Sequence, residues 1–449
     1  MSWSDNAIFY HIYPLGLCGA PEINDFSSHP QPRLEQVHLW LDHIQSMGAN
    51  AVYLGPLFES GTHGYDTADY YWVDRRLGTN ETLIRLSQAL HGRGMRLVLD
   101  GVFNHTGRNF WAFRDVLSNG RNSPYCDWFQ NLRYEGHSPF NDPFSYEGWN
   151  GHYNLVKLNL SNPQVKRHIF GAIEAWVRDF QIDGLRLDAA DCLDPEFIND
   201  LARFCHSLKP DFWLMGEVIH GDYRKWVNPQ SFDSVTNYEA YKGLFSSLND
   251  RNYFEIAHTL NRQSGPGGIY RESQLYTFAD NHDVNRVASL IRNPAHLYPL
   301  YALLFSMPGI PSIYYGSEWG IEGVKQNSSD LPLRPVLELG SISSHAPQPG
   351  LAGFIRNLAT VRNSSPALQI GDYHPLHISA EQFAFSREAL GERVFVALNA
   401  APEEVQLDLK IDGEISLHDL LDPGVIIYAR ARTCRVNIPA YGARVMRVV

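Results

Sequence analysis

Along the first 360 residues, short apolar runs rich in β-branched residues alternate with stretches of helical period. The short runs are IFYHIY near 8, NAVYLGPL near 50, MRLVLDGVF near 95, DGLRLD near 183, FWLMGEV near 212, FDSVTNY near 232, QLYTFADN near 274 and IPSIYYG near 310. Runs of this kind between helices read as parallel strands covered on both faces. The helical period is clearest after the start signal Ser161-Asn162-Pro163, where Val165, Ile169, Ala172, Ile173, Trp176 and Phe180 share one face and lead into DGLRLD. Eight strands, each followed by a helix, predict an α/β fold: a (β/α)8 TIM barrel of about 250 residues with insertions.

The rhythm breaks twice. Residues 106–157 carry aromatics, Gly, Asn and Pro without a long periodic helix, which predicts a small subdomain inserted after strand 3. After about 366 the pattern becomes alternating, as in FAFSRE, RVFVALNA, VQLDLKI and ARVMRVV. The expected organisation is therefore barrel over 1–105 and 158–365, inserted subdomain over 106–157, and a C-terminal antiparallel β-sandwich over 366–449.

Composition narrows the function classes. The formal charge of −12 and a pI near 5.9 lack the basic footprint of a nucleic-acid or anionic-membrane binder. The start, MSWSDNAIFYHIYP, has no export signal, and no run reaches membrane-spanning length, so a cytoplasmic protein is expected. Five cysteines, at 18, 126, 192, 205 and 434, form no CxxC pair and read as reduced thiols.

In such a barrel the active site lies at the C-terminal ends of the strands. Four of these ends carry chemistry: Asp100, Asn104 and His105 in DGVFNH; Arg186 and Asp188 in GLRLD; Glu217 and His220 in GEVIH; Asp280, Asn281, His282 and Asp283 in ADNHD. Any one carboxylate is ordinarily a salt-bridge or cap partner. Four ends facing one mouth form a cluster that costs stability unless function requires it. Two carboxyls without an obligatory cofactor suit glycosidic bond cleavage, one protonating the leaving oxygen and one attacking the anomeric carbon. Arg186 and Asp188, two residues apart on a strand, point to one face, which predicts that Arg186 holds Asp188 ionised. Neighbouring negative charge would raise Glu217 into the range of an acid.

DGVFNH, GLRLD, GEVIH and FADNHD, in that order and at about that spacing, resemble the signature segments of the α-amylase family, glycoside hydrolase family 13. GYDTADYYWVDRRLGT at 64–79, KLNLSNPQV at 157–165 and MPGIPSIYYGSEWG at 307–320 extend the resemblance over about residues 8–320. It implies Asp188 as nucleophile, Glu217 as general acid/base and Asp283 as the carboxylate that orients substrate hydroxyls. It also implies that His105, Arg186 and His282 contact the glucose at the cleavage subsite and that Tyr65 stacks on its ring. Asp100, His220 and Asn281 complete the candidate substrate-binding set, with Asp100 and Asn104 reading more as supports.

KLN at 157–159, followed by NPQV, resembles the cyclomaltodextrinase, neopullulanase and maltogenic amylase group. That implies hydrolysis of α-1,4 bonds in maltooligosaccharides, cyclodextrins and related α-glucans, with transglycosylation as a side reaction. The group usually carries an N-terminal β domain that builds a dimer, whereas here the first predicted strand begins near residue 7. A monomer or weak homo-oligomer is therefore expected, with a glucan as its partner and neither nucleic acid nor membrane. Many α-amylases have Lys-His three and four residues after the nucleophile beside a structural calcium. Asp191 and Cys192 stand there, while Asn104 matches one ligand position and Asp residues of the inserted loop could supply hard oxygens, so a structural calcium stays open. No metal ligands are assigned and no cofactor is required for catalysis. Three alternatives stay open at this level: a starch-degrading α-amylase or α-glucosidase, a metal-dependent barrel hydrolase, and a catalytically silent glucan-binding protein.

Overall fold

The computed structural model describes residues 2–326, 329–411, 414–429 and 433–449. Residues 327–328, in the loop after the eighth strand, lie outside that set. Eight parallel strands form the barrel: β1 (Phe9–Ile12), β2 (Ala51–Leu54), β3 (Arg96–Gly101), β4 (Gly184–Leu187), β5 (Trp213–Gly216), β6 (Ser234–Val235), β7 (Tyr276–Phe278) and β8 (Ile310–Tyr314). Their order is β7-β8-β1-β2-β3-β4-β5-β6, and a parallel bridge from Thr236 to Tyr276 closes the ring. All eight correspond to the apolar runs of the sequence.

The two-residue period of a strand sorts the side chains. Phe9, Ala51, Tyr53, Val98, Trp213, Met215, Tyr276, Phe278 and Ile310 pack together inside the barrel. Tyr10, Val52, Leu97, Leu99, Leu185, Leu187 and Leu214 join the larger core under the helices. Gly184 is required by close packing, because a Cβ there would stand 2.4 Å from the Trp213 carbonyl oxygen.

Helix Pro163–Phe180 shows how sequence becomes packing. The Asn162 side chain caps it by accepting from Gln164 N–H, and Val165, Ile169, Ala172, Ile173, Trp176 and Phe180 are its buried residues. Trp176 stacks on Phe58 at 4.1 Å and donates from its indole N–H to the Tyr70 carbonyl at 2.8 Å.

The segment after β3 holds helix Trp111–Asn119 and a three-stranded antiparallel sheet, ordered 105–107, 152–157, 148–149. The C-terminal part holds β9 (Asp372–Ile378), β10 (Gln382–Ala389), β11 (Glu392–Asn399), β12 (Val405–Lys410), β13 (Ile415–Asp419), β14 (Ile426–Ala429), β15 (Thr433–Ile438) and β16 (Ala443–Val448). Six of these form one sheet, β9-β10-β11-β16-β13-β14, and β12 pairs with β15. Ala384, Phe395 and Met446 of the large sheet pack against Leu409, Val436 and Ile438 of the small one. Among the described residues no helix is long and apolar enough to cross a membrane, and all five cysteines are free.

Where chain enters β4, the buried Asp183 gathers four donors: His91 Nε2 at 2.8 Å, Arg96 Nη1 at 2.8 Å, the Leu97 amide at 2.8 Å and Lys209 Nζ. Burial alone would raise its pKa, but these donors outweigh it and hold the carboxyl below the usual carboxylate range. Asp183→Asn should therefore lower stability at pH 7 by about 2–3 kcal/mol. A depressed carboxyl stabilises fully above its unfolded pKa of about 3.9 and loses that contribution as pH falls toward the folded value. Urea midpoints of wild type and variant should thus differ by a constant amount from pH 7 to pH 5 and converge only below about pH 4.

Candidate active site

At the C-terminal ends of β3, β4 and β5, strand parity turns Asp100, Arg186, Asp188 and Glu217 inward. Arg186 is buried among the three carboxylates. Its Nη1 donates to Asp100 Oδ1 at 2.9 Å and to Asp188 Oδ1 at 3.0 Å, and its Nη2 lies 2.8 Å from Glu217 Oε2. Asp188 and Glu217 are therefore tied to one planar guanidinium. Their backbones are tied as well: the Ala189 amide donates to Glu217 Oε2 at 3.1 Å, and the Ala190 amide to the Glu217 carbonyl at 3.0 Å.

A second group comes from the loop after β7. His282 Nε2 is 3.0 Å from Asp283 Oδ2, and Arg334 Nη2 is 2.9 Å from Asp283 Oδ1. The Asp283 and Val284 amides donate to Asn281 Oδ1, at 2.8 and 3.2 Å, which fixes the turn. Tyr65 joins the two groups. Its hydroxyl donates to Asp100 Oδ2 at 3.0 Å and meets His282 Nε2, and the Tyr65 and His282 rings stack at 5.6 Å. Tyr53 donates to the same Asp100 oxygen at 2.9 Å. On the other side, His105 Nε2 is 3.9 Å from Asp188 Oδ2, and the His105 ring stacks on Trp149 at 5.3 Å.

These side chains border a cleft of about 1180 Å³. Tyr65, His105, Asp188, Glu217 and Asp283 line it; Asp100, Arg186, Asn281 and His282 sit behind that lining. Of the seven members of the sequence-derived binding set, only Tyr65 and His105 line the cleft, and Asp100 and His220 depart furthest from it. Asp100 has no path to a sugar, since Arg186, Tyr53 and Tyr65 consume its carboxylate below the cleft. His220 is exposed and outside the lining, although its neighbour Ile219 belongs to it. Conversely, Tyr13, Trp149, Tyr238 and Arg334 line the cleft and were not singled out from sequence. Trp149 had a weak signal, as an aromatic beside the Asn-Gly turn of the insert. Arg334, from a stretch without period, had none.

The charges are unequal. Burial pushes Asp188 well above the usual carboxylate range, against the pull of Arg186 and with the help of Glu217, Asp100 and Asp283. Arg186 thus opposes the effect of burial on Asp188 without outweighing it. Burial raises Glu217 too, again opposed by Arg186 and assisted by Asp283. Two raised carboxyls on one guanidinium titrate as a coupled pair. Asp283 goes the other way: burial would raise it, but His282, Arg334 and Arg186 hold it well below the usual range. Burial pushes the His105 imidazole down to about 3, so it faces the cleft neutral.

Asn104, the residue matching a calcium ligand position, keeps its Oδ1 without a partner while its Nδ2 faces His105 Nδ1 at 3.2 Å. Among the described residues no three His, Cys, Asp or Glu side chains converge to hold an ion. The side chains around Asn104 therefore do not fit a carboxylate-held cation, and no step below uses one.

The model of the α-amylase catalytic domain matches residues 34–348. A cyclomaltodextrinase from a Bacillus species is 32% identical over 423 residues, covering 89% of this chain and 73% of that protein. Neopullulanase 2 of Thermoactinomyces vulgaris is 31% identical over 435 residues, covering 91% and 72%. Among solved structures, the cyclic α-maltosyl-(1→6)-maltose hydrolase of Arthrobacter globiformis superposes with a TM-score of 0.80 at 27% identity, covering 100% of both chains.

Removing the shared cation tests this electrostatic picture. Arg186→Met leaves three buried carboxylates without their counter-charge and should cost roughly 3–5 kcal/mol at neutral pH. Without Arg186 the carboxyl pKa values rise further, so protonation relieves the repulsion and the deficit should shrink from pH 7.5 to pH 5. An equal deficit in guanidinium chloride midpoints at both pH values would contradict the picture.

Proposed function

The chain belongs to the α-amylase family of glycoside hydrolases, and on that premise we propose that it cleaves α-1,4-glucosidic bonds in maltooligosaccharides, cyclodextrins and related small α-glucans. Asp188 is the nucleophile in this reading and Glu217 the acid that then serves as base. The observation that carries it is the single Arg186 guanidinium gripping both carboxyls, at 3.0 and 2.8 Å, at the floor of an open cleft.

The reaction starts with the proton on Glu217 and Asp188 ionised. Glu217 donates that proton to the glycosidic oxygen as Asp188 attacks the anomeric carbon, and the leaving sugar departs with the proton. A covalent glycosyl ester on Asp188 results. Water enters from the leaving-group side, Glu217 takes its proton, and the ester is displaced with overall retention. When a sugar hydroxyl replaces that water, the product is a transglycosylated oligosaccharide. Asp283, held below the usual carboxylate range, accepts from hydroxyls of the bound glucose, while Tyr65 offers its ring and neutral His105 a ring N–H.

The preference for small and cyclic glucans rests on the KLN segment, on the similarity to a cyclomaltodextrinase and a neopullulanase, and on a cleft volume suited to several sugar units. Rates on β-cyclodextrin, maltotriose, pullulan, cyclic maltosyl-maltose and soluble starch test it. Faster cleavage of the small substrates is expected; faster cleavage of starch would favour an α-amylase instead. Proton NMR should show the α-anomer as the first product, and Asp188→Asn should abolish turnover. Every step is carried by carboxyl and guanidinium groups of the chain, so exhaustive chelation should leave the rate unchanged. A rate lost on chelation and restored by a divalent ion would point to the metal-dependent alternative.

A further inference from the structure

Arg334 stands in the loop after β8, 51 residues beyond Asp283 and without any periodic pattern around it. Four contacts fix its side chain. Nη2 meets Asp283 Oδ1 at 2.9 Å, Nε donates to the His282 carbonyl at 3.0 Å, Nη1 reaches the Tyr13 hydroxyl at 3.3 Å, and the guanidinium lies over the Tyr13 ring at 4.4 Å. Asp330, at 3.4 Å, is a weaker second partner.

The backbone around it is clamped on both sides. The Leu333 carbonyl accepts from Arg286 Nη2 at 2.8 Å and from the Tyr314 hydroxyl at 3.0 Å, and the Pro335 carbonyl accepts from the Tyr315 hydroxyl at 2.8 Å. Gly16 permits the close approach in between, since a Cβ there would stand 2.3 Å from the Arg334 carbonyl oxygen. The loop after β1 thus lies flat against the loop after β8 where the arginine leaves the backbone. An arginine buried to this degree, with a fixed backbone and a fork spread over a carboxylate and a carbonyl, has little freedom left.

We infer that Arg334 is the positioning residue for Asp283: its guanidinium is the fixed counter-charge that holds that carboxylate in one orientation, delivered by a loop clamp built on Gly16 and Arg286. The inference rests on the proposed glycosidase reading, in which Asp283 orients substrate hydroxyls. Glu217, Asp188, Arg186, His282, His11 and Tyr65 act on Asp283 from the barrel, and Tyr238 from the helix that follows β6. From the loops come Tyr13, His63 and Arg334, with Asp330 and its partner Lys325 beyond. Of the two arginines in this field, Arg186 is engaged with three other carboxylates, which leaves Arg334 as the cation whose close oxygen partner is Asp283.

The test is the pH dependence of kcat/KM on maltotriose for wild type, Arg334→Ala, Arg334→Lys and Asp283→Asn, with folding checked by circular dichroism. Arg334→Ala should lose roughly 10- to 100-fold in kcat/KM. Its acid limb should move up by about 1–2 pH units, because removing a cation raises the carboxyl it faces. Added guanidinium ion should restore part of the rate, and Arg334→Lys should fall between, since an ammonium lacks the planar fork. An acid limb that coincides with wild type, together with no rescue by guanidinium, would overturn the inference. If Arg334→Ala does not fold, the acid limb of Arg334→Gln, which removes the charge at similar size, decides by the same criterion. Wild type inactive on every α-glucan, or Asp283→Asn as fast as wild type, would instead sink the glycosidase reading and this inference with it.

Discussion

One buried cation holds the chemistry of this protein together. Arg186 sits inside the barrel with Asp100, Asp188 and Glu217 around it, each from a different strand. Carboxylates packed this closely in a medium of low dielectric repel each other by several kcal/mol, and a single guanidinium with a fork of donors is the economical neutraliser. It neutralises without deactivating. Burial and mutual repulsion still raise both Asp188 and Glu217. Asp100 does not face the sugar; with Tyr53 and Tyr65 it anchors the arginine from below.

The scaffold is organised to present that cluster. Aromatic and aliphatic side chains from most of the strands fill the barrel below it, and the same strands change to polar inward residues only at their C-terminal ends. Gly184 admits Trp213 beneath Arg186, so the floor is solid. Above the floor, the insert after β3 brings Trp149 against His105, and the loop after β8 brings Arg334 against Asp283. The cleft is therefore walled by loops distant in sequence and floored by residues two apart on single strands.

That difference explains what could be read from sequence. Barrel strands were legible because burial on both faces leaves an unbroken apolar run, and helix Pro163–Phe180 because its buried stripe follows the 3.6-residue period. The convergence of Asp100, Arg186, Asp188 and Glu217 was legible because strand parity and a common barrel end dictate it. Arg334 and Tyr13 were not, since their meeting with Asp283 and with each other depends on how irregular loops cross, and no local pattern encodes that. His220 misled for the related reason that a strand's alternation stops where the strand does. The charge state of Asp188 was only half legible: the attraction of Arg186 follows from spacing, but the opposing burial follows from the whole fold.

In the proposed reaction the Arg186-bound pair divides into a nucleophile, Asp188, and an acid/base, Glu217. Trapping the covalent intermediate tests it most directly: incubate the protein with a fluorinated α-glucosyl fluoride, which forms the glycosyl ester faster than it hydrolyses, then digest it and map the adduct by mass spectrometry. One hexosyl adduct is expected on the peptide containing Asp188, accumulating further in Glu217→Gln. An adduct on Glu217 or Asp283, or none while substrate is being turned over, would contradict it.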